Sequence, residues 1–153
     1  MQIDKALEGD LDDILKLQKL CYQQEAEIYS DFNIEPLLQT NEALEKEFLN
    51  KIILKTVIQS KIIGSIRAFK KNKTVFIGKV IVHPEYQNKG IGKKLIIEIE
   101  KIFKNTKRFE LFTGFKSEKN LYLYQKLGYS PFKKEKVSNN VTLIFLEKLK
   151  SNK

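Results

Sequence analysis

Two glycines stand two positions apart in a lysine-rich stretch, Gln87-Asn88-Lys89-Gly90-Ile91-Gly92-Lys93-Lys94. Residues of these types at this spacing could hold an anion. Without a Cβ, the backbone can turn sharply and come close to a ligand. The segment before them, Val75 to Val82, is β-branched or aromatic except at Gly78 and Lys79, which predicts a strand. Pro84 has no N–H to donate and stops strand pairing. The segment after them predicts a helix. Leu95, Ile96, Ile99, Ile102 and Phe103 recur at helical spacing, with Lys93, Lys94, Glu98, Lys101 and Lys104 mostly on the other face. Strand, glycine loop and helix start together aim unpaired N–H groups and the positive end of a helix dipole at one point, an arrangement suited to phosphate.

Three phosphate-loop patterns compete for these residues. A Walker loop requires a glycine where Gln87 stands and a Ser or Thr where Lys94 stands, so it fails. A dinucleotide fingerprint requires a third glycine where Leu95 stands, so it fails too. The third pattern, Gln/Arg-x-x-Gly-x-Gly/Ala, is filled by Gln87, Gly90 and Gly92 behind the lead-in Val82-His83-Pro84-Glu85-Tyr86. This stretch resembles the acetyl-CoA motif of the GNAT family of N-acetyltransferases. A plain helix start with no ligand is the bland alternative. The resemblance implies acetyl-CoA as co-substrate, with Val80, Ile81, Val82, Gln87, Asn88, Lys89, Gly90, Ile91, Gly92 and Lys93 contacting it.

A second stretch, Ser117-Glu118-Lys119-Asn120-Leu121-Tyr122-Leu123-Tyr124-Gln125-Lys126-Leu127-Gly128-Tyr129, resembles the same family's motif ending Leu-Tyr-x-x-x-Gly-Phe/Tyr. Asn120 and Tyr124 lie one helical turn apart on a shared face. By the resemblance, Tyr124 protonates the departing thiolate of coenzyme A, and Asn120 and Tyr124 both contact the cofactor. A phenol keeps its proton at neutral pH and can donate it. A tyrosine packed in the core is the alternative, and Tyr122 and Tyr129 lie close by. The motif departs at Ser117, where many members carry an asparagine.

The reaction so implied is direct attack of an amine on the acetyl thioester with both substrates bound. In the family, backbone of the strand matching Val80–Val82 supplies the N–H donor for the oxyanion. The strand holding Leu111 to Gly114 would splay away to admit pantetheine. Several members place a glutamate base on the strand matching Val75–Val82, and this strand has none. Glu25, Glu27, Asp31, a relayed water and His83 remain open as bases, and Glu110 or Arg67 could reach the acceptor cleft. A lone cysteine and a lone histidine cannot build a zinc site, so no metal is expected. The Gly-x-Ser-x-Gly elbow of serine hydrolases is absent.

Positioning these groups requires a scaffold. Gln2 to Ala6 reads as a first strand. Asp10 is a plausible cap for a helix to about Glu25, with Leu11, Ile14, Leu17, Leu20 and Cys21 as its buried stripe. Cys21 reads as a small core residue. Pro36 to Asn50 predicts further helix with a break near Thr40-Asn41. Ile52–Ser60, Ile62–Phe69 and Val75–Val82 predict an antiparallel meander, with turns at Lys61 and Lys70–Lys73. Arg108–Phe115 predicts a strand parallel to the third of these, joined by the central helix. Ser117 would cap a helix to Leu127, closed by Gly128; Tyr129–Val137 and Val141–Leu149 would form a last hairpin. The expected fold class is α/β (α+β), a GNAT-like mixed, mostly antiparallel sheet of about seven strands flanked by about four helices. One domain over 1–150 and a polar tail at 151–153 are expected.

Composition sets the outer bounds. With 42% hydrophobic residues among 153, the chain can bury a core without staples. No apolar run is long enough for a membrane span, the first residues carry no apolar signal region, and Cys21 has no disulfide partner; a cytoplasmic location is expected. The net charge of +9 comes from lysines scattered over the chain, which reads as solvated surface. No aromatic-basic interleaving typical of single-strand binders is present, which argues against nucleic acid. The expected acceptor is a small-molecule or peptide amine, and a homodimer is open. The competing reading is a non-catalytic module of the same fold that senses acyl-CoA or touches nucleic acid.

Overall fold

The computed structural model describes residues 1–150, so the tail expected at 151–153 lies outside the described residues. Seven strands form one sheet: β1 (Gln2–Lys5), β2 (Ile52–Ile58), β3 (Lys61–Lys71), β4 (Thr74–Val82), β5 (Arg108–Gly114), β6 (Ser130–Lys136) and β7 (Thr142–Leu149). Their spatial order is β1-β2-β3-β4-β5-β7-β6, and every pairing is antiparallel except β4 with β5. Five α-helices accompany them: α1 (Leu11–Tyr29), α2 (Glu35–Leu38), α3 (Asn41–Asn50), α4 (Ile91–Ile102) and α5 (Glu118–Lys126). The expected break at Thr40-Asn41 is real. Thr40 Oγ1 accepts from the Ala43 N–H at 3.1 Å and starts α3 as a separate helix, which raises the helix number to five.

The meander is set by two-residue turns. Gln59 and Ser60 have φ of 50° and 64°, and Asn72 and Lys73 have φ of 51° and 70°. Positive φ at both central residues matches the right-handed twist of the flanking strands. The first turn therefore sits at Gln59-Ser60, and Lys61, expected at the turn, opens β3.

One core lies between the sheet and α4 and α5. Ile66, Ala68, Val75, Ile77, Phe109 and Leu111 from the strands pack with Leu95, Ile96, Ile99 and Tyr124. Each valine, leucine, isoleucine or phenylalanine among them, fully buried, contributes about 1.5–3 kcal/mol of transfer free energy. A second core on the opposite face joins Leu11, Ile14, Leu15, Leu44 and Ile53. Both faces of the central strands are covered, which is why Ile63 to Ala68 is buried without interruption. Leu20, expected in the α1 stripe, is 45% exposed. Leu15 and Gln18 are buried in its place, because helix α1 turns that face toward α2 and α3.

Two irregularities shape the centre of the sheet. Ser65 pairs with Ile81 while Arg67 pairs with Gly78, so β4 carries one extra residue there, and Lys79 has φ of 50°. This is a bulge, which bends and re-aims a strand. The parallel ladder of β4 and β5 is also short. It joins Thr74, Val75 and Phe76 to Arg108, Phe109 and Glu110 and goes no further. Beyond it, β5 continues along β7 from Leu111 to Gly114. The two strands part, as the resemblance implies.

Strand β6 forms one edge, with every residue exposed and a register irregularity between Pro131 and Lys133. The other edge is β1, only four residues long.

Candidate functional site

The gap between the C-terminal ends of β4 and β5 is bordered on one side by the loop leading into α4. His83 turns the chain: its N–H donates to the Ile63 carbonyl at 2.7 Å, and its Nδ1 accepts from the Glu85 N–H at 3.1 Å. The imidazole thus anchors the short 3-10 turn Pro84–Tyr86. Gln87 Nε2 donates back to the Val82 carbonyl at 3.1 Å, closing the loop onto the strand end. Asn88 and Gly90 have φ of 65° and 79°. Gly90 takes the left-handed conformation at the position just before α4, and a Cβ there would meet nothing within 4 Å. Backbone sign, not crowding, selects glycine at this point. Gly92 differs: a Cβ there would be in ordinary contact with Leu123 and Val80 at 3.6 and 3.9 Å. The first intrahelical bond runs from the Lys94 N–H to the Gly90 carbonyl at 3.1 Å. The N–H groups of the first turn before it are left for another acceptor. Lys89, Lys93 and Lys94 are exposed around them.

The opposite border is made by α1 and α5. Tyr124 projects from α5 into the core at 4% exposure. Among the described residues nothing hydrogen-bonds its hydroxyl. Its phenol is raised well above the ordinary range, first by burial and then by the charge of Glu25. Such a phenol keeps its proton. The neighbouring tyrosines are otherwise engaged. Tyr129 donates its hydroxyl to Glu100 at 2.8 Å, and Tyr122 is 56% exposed beneath the Lys126 ammonium. Asn120 shares the Tyr124 face, and its Nδ2 donates to Thr113 Oγ1 on β5 at 3.3 Å.

Ser117 occupies the cap position of α5, but its hydroxyl does not cap the helix. It donates to Glu25 Oε2 at 2.9 Å and lies 3.3 Å from the Tyr29 hydroxyl, which itself accepts from the Lys116 N–H at 2.8 Å. Asp10 departs in the same way: its carboxylate accepts from the Leu7 N–H and from Lys55 rather than capping α1. Tyr29 lies over Gly114, whose missing side chain leaves room for the phenol. Helix α1 therefore extends one turn past Glu25, and Ser30 at φ 51° ends it. Gln18, Tyr22, Glu25 and Tyr29 fall at i, i+4, i+7 and i+11 on its sheet-facing side, a spacing present in the sequence once the helix is carried to Tyr29. Tyr22 is the residue that the sequence reading passed over. Burial raises its phenol, and the nearby Tyr124 phenol and the Glu25 charge add to this.

The other candidates lie elsewhere. Arg67 is 2% exposed and held by Gln18, Gln39 and Glu47, with Nε unpartnered. Glu110 pairs with Arg108 at 2.9 Å. Glu27 is exposed. Asp31 accepts from the Asn33 N–H and from Ser138 Oγ of the hairpin between β6 and β7. Cys21 donates to the Val82 carbonyl at 3.3 Å, and burial pushes its thiol up to about 12. Among the described residues no group of three or more His, Cys, Asp or Glu is placed to hold a metal ion, and no helix is long and apolar enough to cross a membrane.

Two strands therefore part after Phe76 and Glu110, a helix start with free N–H groups follows the first of them, and a protonated phenol from α5 is packed in the core beneath α4. Parted strands that lead to a helix start can take an extended chain ending in phosphate. Comparison with solved structures finds the same fold. The PaiA N-acetyltransferase of Thermoplasma acidophilum in complex with coenzyme A is 24% identical, over 97% of this chain and 98% of that one, with a TM-score of 0.81. A putative acetyltransferase of Salmonella typhimurium with its cofactor acetyl-CoA is 17% identical over 100% and 95%, with a TM-score of 0.76. An aminoglycoside 6'-acetyltransferase type Ii is 20% identical over 97% of each chain, with a TM-score of 0.74. No curated protein matches by sequence. The sequence model of the Acetyltransferase (GNAT) family matches residues 11–129, most of the chain and both motifs, and the protein belongs to that family.

Proposed function

We propose that the protein is an N-acetyltransferase that moves the acetyl group of acetyl-CoA to a primary amine by direct attack within a ternary complex. The observation that carries this reading is the parting of β4 from β5 after Phe76 and Glu110, with the glycine loop following β4 and Gly92 facing Leu123, the neighbour of Tyr124. In this reading Val80, Ile81 and Val82 offer backbone groups to pantetheine and to the thioester oxygen as it gains charge. Gln87, Asn88, Lys89, Gly90, Ile91, Gly92 and Lys93 surround the pyrophosphate, through backbone N–H groups and the start of α4. Asn120 borders the pantetheine arm, and its bond to Thr113 fixes α5 against β5.

Tyr124 gives its proton to the departing sulfur. The raised phenol suits that task, since it is fully protonated at neutral pH. Holding amine and thioester together supplies several kcal/mol of the barrier by orientation alone. Proteins of similar fold include ribosomal-protein-alanine N-acetyltransferases and an aminoglycoside 6'-acetyltransferase, which supports an amine as the acceptor.

Calorimetric titration tests the cofactor assignment. Acetyl-CoA and free CoA should bind saturably to the wild type, and Gly92→Glu should abolish both, because its carboxylate would meet the pyrophosphate. Position 92 has room for a Cβ, so the variant should keep its fold. Equal binding in wild type and variant, or none in the wild type, overturns the reading. Binding without thiol release on addition of any primary amine would instead favour an acyl-CoA sensor.

A further inference from the structure

The transferase reading needs a group that takes a proton from the acceptor, and β4 supplies no carboxylate. Resting on that reading, we propose that Glu25 is this group: its carboxylate receives the acceptor as an ammonium ion and removes the proton that frees the nucleophile. The position supports it. Glu25 is half-buried on the sheet-facing side of α1, between Tyr22 and Tyr29, and Ser117 at the start of the Tyr124 helix holds its Oε2 at 2.9 Å. Its other oxygen, Oε1, has no partner among the described residues. A hydroxyl donor fixes the carboxylate without neutralising it.

The charge is also unbalanced. Lysine and arginine outnumber aspartate and glutamate by 28 to 19, yet among the described residues no cation lies within ion-pair distance of Glu25. Lys116 is adjacent to Ser117, but its Nζ sits over the rings of Tyr29 and Phe115 at 5.8 and 5.6 Å. The groups that face Glu25 are Tyr22 on its own helix, Ser117 and Tyr124 on the α5 side, and Tyr29 through Ser117. Tyr22 and Tyr124 are raised and keep their protons, and the others offer hydroxyl groups. A half-buried carboxylate without a counter-ion beside a slot is a receptor for a cation. The competing acids are committed: Glu110 to Arg108, Glu47 to Arg67, and both oxygens of Asp31 to Asn33 and Ser138.

The step balances as follows. The ammonium gives one proton to Glu25, and the freed nitrogen lone pair forms the N–C bond at the thioester carbonyl. The C–S bond breaks with its electron pair on sulfur, and the Tyr124 hydroxyl proton passes to that sulfur. The second nitrogen proton, made acidic by the attack, restores Tyr124. The proton on Glu25 leaves to solvent. The acceptor class that fits is a primary amine cationic in solution, with no anionic group next to the nitrogen.

Thiol release from acetyl-CoA, with n-butylamine, benzylamine and glycinamide as probes, tests this across pH 6 to 10 in wild type, Glu25→Gln and Glu25→Asp. In Glu25→Gln, kcat/KM for the amine should fall on the order of 100-fold at pH 7. The gap should close as pH passes the amine's own pKa, because the nucleophile is then already neutral. Glu25→Asp should lie between, and acetyl-CoA should bind all three proteins alike. A loss of the same factor at every pH, or no loss, overturns the role of Glu25 and leaves the transferase reading intact. No thiol release from the wild type with any of the three amines overturns the transferase reading, and this proposal with it.

Discussion

The wall formed by Val82 to Ile91 and the wall formed by Tyr22 to Tyr29 with Ser117 to Tyr124 meet at one gap but are held in different ways. The first is made of backbone. Its shape comes from two positive-φ residues, a proline and main-chain bonds, with Gln87 and His83 supplying its internal side-chain hydrogen bonds and Lys89 lying over the Tyr86 ring. The second is made of side chains: Glu25, Ser117, Tyr29, Asn120 and Thr113 bond one another across separate elements. A backbone wall suits a ligand part that never varies. A side-chain wall can be recut residue by residue around a different acceptor while the sheet stays as it is.

Substitutions at each wall can break or sharpen this contrast. The largest effect is expected at Tyr124, where the two walls meet. Tyr124→Phe should lower kcat by about 100- to 10,000-fold while acetyl-CoA affinity stays within a few fold. Steady-state kinetics beside calorimetry separates the two, and an equal loss in both would make Tyr124 a packing residue only. Glu47→Gln probes the charged support beneath the side-chain wall. It leaves Arg67 buried with only neutral partners and should cost about 3 kcal/mol in urea unfolding. Burial opposes ionisation of Glu47, but Lys51, Gln39 and the Arg67 charge outweigh it and hold the carboxyl below the usual range. A carboxyl depressed by folding stabilises above its unfolded pKa, and that contribution is lost as pH falls through the folded value. Wild-type stability should therefore drop on acidification below about pH 4.5, and Glu47→Gln should flatten part of that drop. The smallest effect belongs to Gln87→Ala. One side-chain bond is worth about 1 kcal/mol, so acetyl-CoA affinity should fall less than about tenfold. A complete loss would mean that this wall, too, depends on side chains.

The same contrast explains what the sequence discloses. The wall around Gly90 is local: strand, turn, loop and helix start are consecutive, so residue order and spacing reveal it. The other wall joins Glu25 to Ser117 and Tyr29 to Lys116, and the hairpin Ser138–Asn140 to Asp31 and Ser30, pairs 87 to 110 positions apart. No local pattern records such pairings. Ser117 reads as a cap because serine before a helix usually caps; here Glu25 competes for the hydroxyl and wins. Helix α1 reads short because Glu25 to Pro36 interleaves acids with apolar residues without a clear helical stripe, although Ala26 and Tyr29 are buried. The seven strands, the meander, the parallel pairing of β4 with β5 and the last hairpin were legible because tight turns and a strand–helix–strand crossover leave little freedom. The seating of β7 between β5 and β6 joins strands distant in the chain and left no local mark.

Strand β6 has a consequence for the molecule's life among its own copies. An open strand edge is a row of unpaired donors and acceptors that can recruit another chain. Pro131 removes one donor from that row, the irregularity after it spoils the register, and Lys133, Lys134 and Lys136 outnumber Glu135 and leave the edge positively charged. A second copy approaching strand to strand would meet missing hydrogen bonds and charge repulsion together. A protein that must leave one side of its sheet unroofed thereby keeps the unroofed side from seeding fibrils.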